Sequence, residues 1–106
     1  MIGIEKNLQN IENTGQVLFE QLHFLDHAIR YMFSQIKLCE TIESAQDYFA
    51  QLDEIQSCLA ILVHKYDIGI SNRLWRFMSD FDNFQEAKEY YFPKIKSGEY
   101  SFETSD

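Results

Sequence analysis

The side chains best able to do chemistry form a polar strip in the first third of the chain. Glu20, His23 and His27 are spaced by three and four residues, so about one helical turn separates each from the next. Such a strip could offer two or three ligands to zinc or another divalent metal. A di-iron site in a helical bundle would also need a second Glu-x-x-His motif on a facing helix, and the sequence has none. A solvated helix face explains the strip more simply, so we expect no metal and no cofactor.

No other group of residues has the pattern of a catalytic site. Cys39 and Cys58 fall on or beside the predicted helix seams, where a buried thiol is inert. In a helical hairpin they would also lie too far apart for a disulfide. The four glycines are scattered and form no phosphate-binding loop. We therefore predict that the protein is not an enzyme.

A short segment after residue 70 carries the residue types that suit nucleic-acid binding. Arg73, Trp75 and Arg76 follow a turn, a layout typical of a recognition helix. However, 17 acidic residues against nine Lys and Arg give a net charge of −8, which disfavours nucleic-acid phosphates and anionic membranes as partners. We expect instead that Arg76 pairs with Asp80 at i+4 and that Trp75 lies in the core or at an interface.

Acidic residues cluster around the start of the second predicted helix, in a stretch from residue 39 to residue 63 that contains no Lys, Arg or His. The predicted partner-binding residues are five of these acids and one aromatic residue: Glu40, Glu43, Asp47, Tyr48, Asp53 and Glu54. Asp47 and Glu54 are seven residues apart and therefore share one helix face. Tyr48 is a candidate aromatic anchor unless it belongs wholly to the helix seam. An acidic solvated face needs no function, but it is also what a basic partner would select.

Two classes of function fit these observations. The first is a non-catalytic acidic protein that inhibits or neutralises a basic partner such as a nuclease: a toxin immunity protein, an antitoxin or a phage-encoded nuclease inhibitor. Small size, nine Phe and six Tyr favour this class, because aromatic anchors beside carboxylates make selective interfaces. The alternative is a structural or adaptor helical module, either a homo-oligomer, such as a homodimer, or a secretion chaperone. A second acidic group could also serve the first class: Asp80, Asp82, Glu86 and Glu89.

The element that must position these residues is a long first helix. From Ile4 to Cys39, apolar residues recur at alternating spacings of four and three, interrupted only by Gly15, which is typical of a heptad seam. A second row at a spacing of seven widens the apolar arc and predicts neighbours on most sides: Val17, Phe24, Tyr31 and Leu38. We expect an all-α fold, a small antiparallel helical bundle of three to five helices around this long central helix. One kinked, nearly continuous helix and two helices divided near Gly15 both remain open.

The first helix also separates the two classes of function. Paired as a hairpin with the second helix, it overhangs at its N-terminal end, where the seam continues with Ile4, Leu8 and Ile11. Contacts of this overhang with the C-terminal helices favour a monomeric binder. Contacts across a two-fold axis favour a homo-oligomer.

Local signals predict where the other helices begin and end. Ser44 is expected to cap a second helix over residues 45–66, and Ser71 to cap a third. Gly69 is placed for a left-handed turn between them.

The last predicted helix is bounded by an asparagine and a proline. Asn83 and Glu86 have the spacing of a capping box at its start. The helix would then run from Phe84 to Phe92, because Pro93 cannot continue it without losing a backbone hydrogen bond.

One domain over residues 1–98 accounts for the chain, with an acidic, mobile tail over residues 99–106. No apolar run is long enough to span a bilayer, and the first residues lack the pattern of a signal peptide, so a cytoplasmic location is expected. The predicted core comprises Leu18, Leu22, Leu25, Ile29, Met32, Leu52, Ile55, Leu59, Leu62, Leu74, Phe77 and Phe81.

Overall fold

The computed structural model describes residues 2–102 and the side chains of residues 17–84 and 86–102. The described residues form four α-helices and no strand, which confirms the all-α fold. The helices are α1 (Ile2–Leu38), α2 (Gln46–Tyr66), α3 (Asn72–Asp80) and α4 (Phe84–Ser97). No helix among these residues has the length and apolar content needed to cross a membrane.

Residues 2–38 form one helix rather than two, as the heptad spacing, which keeps its phase through Gly15, indicates. Its 37 residues extend over about 55 Å. A hydrogen bond between Tyr48 and Gln35 brings α1 against α2, and Leu25 and Leu62 line a groove between these helices. The central position of α1 and the antiparallel arrangement of the bundle stay predictions. The side chains of the overhang residues Ile4, Leu8 and Ile11 lie outside the described residues.

The core is built from one face of α1 and from the apolar faces of the other three helices. Ile29, Ile36, Leu52, Leu59 and Phe77 are among its fully buried side chains. Eight of the predicted core residues are buried: Leu25, Ile29, Met32, Leu52, Leu59, Leu74, Phe77 and Phe81. Leu22, Ile55 and Leu62 are partly buried and pack against them. Leu18, near the N-terminal limit of the described side chains, is half-buried.

The two predicted serine caps have different outcomes. Ser71 caps α3, because its Oγ accepts a hydrogen bond from the backbone N–H of Leu74 at 3.2 Å. Ser44 does not cap α2, which starts after Ala45 without a side-chain cap. The hydroxyl of Ser44 instead donates to the carbonyl oxygen of Thr41 at 2.7 Å, and the backbone N–H of Ser44 donates to Thr41 Oγ1. The hydroxyl of Ser44 therefore stabilises the turn before α2 and does not cap the helix.

The left-handed residue between α2 and α3 is Asp67, with φ of 48°, and not Gly69 as predicted. An aspartate tolerates this region because its short side chain can form local hydrogen bonds. Gly98, with φ of 84°, ends α4 in the left-handed conformation that favours glycine.

The predicted end of the last helix is wrong, because α4 continues through Pro93 to Ser97. Proline removes the N–H that would bond the carbonyl oxygen of Glu89. Both residues are exposed, so water can hydrogen-bond that carbonyl group and the helix continues. The start at Phe84 is as predicted, but Asn83 makes no side-chain capping hydrogen bond.

The segment after α4 folds back onto the bundle. Tyr100 and Phe102 are 8% and 3% exposed, and their rings stack on Phe33 with centroids 5.6 and 5.9 Å apart. The first residues of the expected tail therefore belong to the aromatic core. Residues 103–106 lie outside the described residues.

Candidate partner-binding surface

The predicted acidic residues lie in the α1–α2 connection and in the first half of α2. Glu40 and Glu43 are exposed in the connection, and Asp47 is exposed in the first turn of α2. Glu54 is exposed two turns further on, and Asp53 is half-buried. None of the ion pairs within the described part of the chain involves these five carboxylates. Their charge therefore faces solvent without an internal counter-charge.

Tyr48 takes a position between the surface and the core. It is half-buried and packs against the buried cluster. Its hydroxyl donates to Gln35 Oε1 across the helix pair at 3.5 Å. The seam holds most of this side chain, so its role as an aromatic anchor stays a prediction.

The apolar row of α1 that was expected to be covered is exposed. The exposed fractions are 51% for Val17, 70% for Phe24, 55% for Tyr31 and 75% for Leu38. The reason is that α2 and the C-terminal helices cover only one side of α1, where Leu25, Ile29, Met32, Phe33 and Ile36 are buried. The row at a spacing of seven lies on a flank of this helix, next to the side that α2 covers.

This row runs beside the acidic row of α2. Phe24, Leu25, Cys58, Ile61, Leu62 and Gln21 line a groove of about 310 Å³ between the two helices. Glu54 and Asp47 lie seven and fourteen residues before Ile61 and so follow it along one side of α2. The contact between Gln35 and Tyr48 keeps the two rows adjacent further along. We define the α1–α2 face by the exposed residues Phe24, Tyr31, Leu38, Ile61, Glu54 and Asp47.

Comparison with known protein families identifies the chain. A family model described as "Immunity protein CdiI-like" matches residues 2–97. The chain belongs to the CdiI-like immunity protein family. No curated protein and no solved structure gives a significant match. Membership confirms the coarser part of the functional prediction, a toxin immunity protein, and implies a toxin as binding partner.

The polar strip of this immunity protein holds a histidine pair. Nε2 of His23 lies 3.1 Å from Nε2 of His27, and Phe19 stacks on His23 with ring centroids 6.1 Å apart. The described residues contain no group of three or more His, Cys, Asp or Glu that could hold a metal ion. Glu20 therefore does not complete a three-ligand site with the two histidines.

The arginines considered for nucleic-acid binding are engaged within the fold of the immunity protein. Arg73 pairs with Asp26 of α1 at 3.2 Å, and its guanidinium lies 5.2 Å from the ring centroid of Phe102. Arg76 pairs with Asp80 at 3.6 Å, as predicted. Trp75 is 59% exposed and is not a core residue. The segment links helices to each other and does not build a basic surface.

The exposed apolar row is a surface feature that sequence reasoning assigned wrongly. Its spacing of seven was visible, and so was the matching spacing of Asp47 and Glu54. The pairing of an apolar row with an acidic row on neighbouring helices is the signal that could have found it.

Proposed function

We propose that this immunity protein neutralises a toxin with a basic surface, a nuclease, by binding it through the acidic residues of the α1–α2 face and the adjoining connection. The observation that carries the proposal is the exposed group Glu40, Glu43, Asp47 and Glu54, which has no internal ion pair within the described residues. A nuclease needs basic side chains where it holds phosphates. Carboxylates placed over those side chains would exclude the nucleic acid.

Electrostatic steering explains why such residues would be selected. Asp47 and Glu54 lie about 10 Å apart along α2, so both carboxylates act on one cleft. With a net charge of −8, the whole chain attracts a basic partner before contact. The field falls within about 10 Å at 0.1 M salt, so association should slow as salt is added. No enzymatic step is needed for inhibition of this kind.

The experiment is a charge reversal tested against the toxin whose growth inhibition this protein relieves when both are made in one cell. We expect Asp47→Lys with Glu54→Lys to slow association and to weaken its dependence on salt. Unfolding of the free protein should change little, because exposed charges contribute little to stability.

A matched control lies on α4. Glu86 and Glu89 are exposed, with Glu86 in the first turn of its helix as Asp47 is in α2. Glu86→Lys with Glu89→Lys produces the same change of net charge, from −8 to −4. It should retain most of the association rate. If the two double variants slow association equally, or if only the α4 pair does, the assignment to α2 is wrong. A toxin with an acidic contact surface would contradict the proposal as a whole.

A further inference from the structure

We propose that Phe24, Tyr31 and Leu38 of α1, with Ile61 of α2, form the apolar centre of the toxin interface. The toxin would present there an apolar strip bordered by basic side chains. This inference rests on the proposed function for the identity of the partner. It adds a second helix to the interface and assigns the binding energy mainly to apolar side chains.

The exposure of these residues is the first support. Phe24, Tyr31, Leu38 and Ile61 are between 55% and 75% exposed although each is large and apolar. From Phe24 to Leu38 the row extends about 21 Å along α1. Single exposed apolar residues are ordinary, but several large apolar residues on one helix flank, with polar residues around them, are typical of an interaction site.

The groove at one end of the row is the second support. Its floor contains the buried Leu25 and the half-buried Leu62, and exposed Phe24 and Ile61 lie at its edges. A volume of about 310 Å³ is open to a side chain of a partner. Interface residues that dominate affinity are large apolar or aromatic groups seated in such pockets.

Charge decides between a toxin and a second copy of this chain. Glu54 and Asp47 follow Ile61 along the face, and Lys65, one turn beyond Ile61, is the basic residue at its other end. A two-fold contact would place the same face on both sides. Two such faces would bring together acidic rows of two chains that each carry a net charge of −8. A basic partner meets the same carboxylates with the opposite charge, so the face fits the toxin.

The test compares two phenylalanines on one helix. Phe24 and Phe19 are 70% and 69% exposed, and their separation by five positions turns Phe19 away from the face. We expect Phe24→Ser to speed dissociation of the purified toxin by about tenfold or more, while association changes little. Phe19→Ser should leave both rates unchanged. Tyr31→Ser should repeat the effect of Phe24→Ser at a second point of the row. Thermal unfolding of each free variant confirms that the fold is intact.

Other results would overturn the inference. One is unchanged dissociation for both Phe24→Ser and Tyr31→Ser, and another is an equal effect of Phe19→Ser. A third is a free protein that dimerises in sedimentation experiments, with Phe24→Ser abolishing the dimer and leaving toxin affinity unchanged. The charge reversals on α2 test the proposed function independently of the row variants. If they slow association while the row variants do nothing, the proposed function stands and this inference fails. If only the row variants act, the row binds the toxin and the electrostatic part of the proposed function fails.

Discussion

Tyr100 allows a pH-dependent test of how the C-terminal segment is held. The ring is 8% exposed, and its hydroxyl donates to Asp80 Oδ2 at 3.0 Å. The guanidinium of Arg76 lies 5.5 Å from the ring centroid of Tyr100 and 3.6 Å from Asp80. Substitution of Tyr100 by Phe removes one hydroxyl and keeps the ring, so its effect isolates this hydrogen bond.

The expected loss of stability at pH 7 follows from the groups that the Tyr100 hydroxyl contacts. A hydrogen bond to a charged group contributes about 1.5–3 kcal/mol. Asp80 keeps its ion pair with Arg76 in the variant, so the carboxylate is not left alone. We therefore expect Tyr100→Phe to lower the free energy of unfolding by about 1–2 kcal/mol at neutral pH.

At alkaline pH the difference should shrink. Burial raises the pKa of Tyr100 well above its ordinary value, and the negative charge of Asp80 and the hydrogen bond to it add to the shift. The pKa of a tyrosine in the unfolded chain is about 10. The stabilisation by Tyr100 is therefore complete below that pH and is lost as pH rises above it. Near pH 11 the free energy of unfolding of the wild type has fallen by about 1.4 kcal/mol, because Tyr100 ionises in the unfolded chain only. The variant has no hydroxyl at this position, so the free energies of unfolding of the two proteins converge.

Urea unfolding of both proteins from pH 7 to pH 11 measures this difference, and other tyrosines cancel in the comparison. Tyr90→Phe is the matched control, since Tyr90 is 59% exposed and should show neither the loss at pH 7 nor the convergence. A gap between wild type and Tyr100→Phe that stays constant up to pH 11 would refute the reasoning, because Tyr100 would then ionise equally in both states.

Two further predictions concern the helices. Leu25→Ala should lower the free energy of unfolding by about 2–5 kcal/mol through the cavity it leaves, and a loss below about 1 kcal/mol in urea unfolding would show that the α1 seam does not face a core. Pro93→Ala should raise the free energy of unfolding by about 1–3 kcal/mol, because it restores an amide that can bond the carbonyl oxygen of Glu89 inside α4. A thermal midpoint that falls in this variant would mean that α4 depends on the fixed backbone of Pro93.

The fold class was predictable because it depends on local repetition. Ile29 and Ile36 lie on the heptad seam, and both are fully buried. Ser71 begins α3 because a hydroxyl at that position satisfies a free backbone N–H, an interaction confined to four residues. Such interactions join residues that are close together in the chain, so the sequence alone is enough to predict them.

Features that depend on distant contacts were not predictable in the same way. Phe102 lies near the end of an acidic segment, and only the three-dimensional fold brings it to Phe33 and Arg73. The choice of Asp67 over Gly69 for the left-handed position depends on where α2 stops, which the sequence leaves free by a few residues.

The candidate surface also contains both residues that the sequence could predict and residues that it could not. Asp47 and Glu54 could be found because seven residues bring two carboxylates to one helix face, and charged residues are rarely buried. Tyr31 and Leu38 could not be assigned from periodicity alone, because periodicity indicates which residues share a face but not whether a neighbour covers it. Coverage depends on the number and length of the other helices, and here these leave one side of α1 open.

On the proposals made above, the net charge of −8 has a second effect besides attraction of a basic toxin. An exposed row such as Phe24, Tyr31 and Leu38 would promote self-association in a chain near neutrality. Carboxylates beside the row disfavour contact between two copies of this chain, and they favour contact with a basic surface. The apolar row would then determine how slowly the complex dissociates, while the acidic row determines how fast it forms and which partner is accepted. Since the two rows lie on different helices, the packing of α1 on α2 through residues such as Leu25 and Leu62 is what keeps both functions on one face.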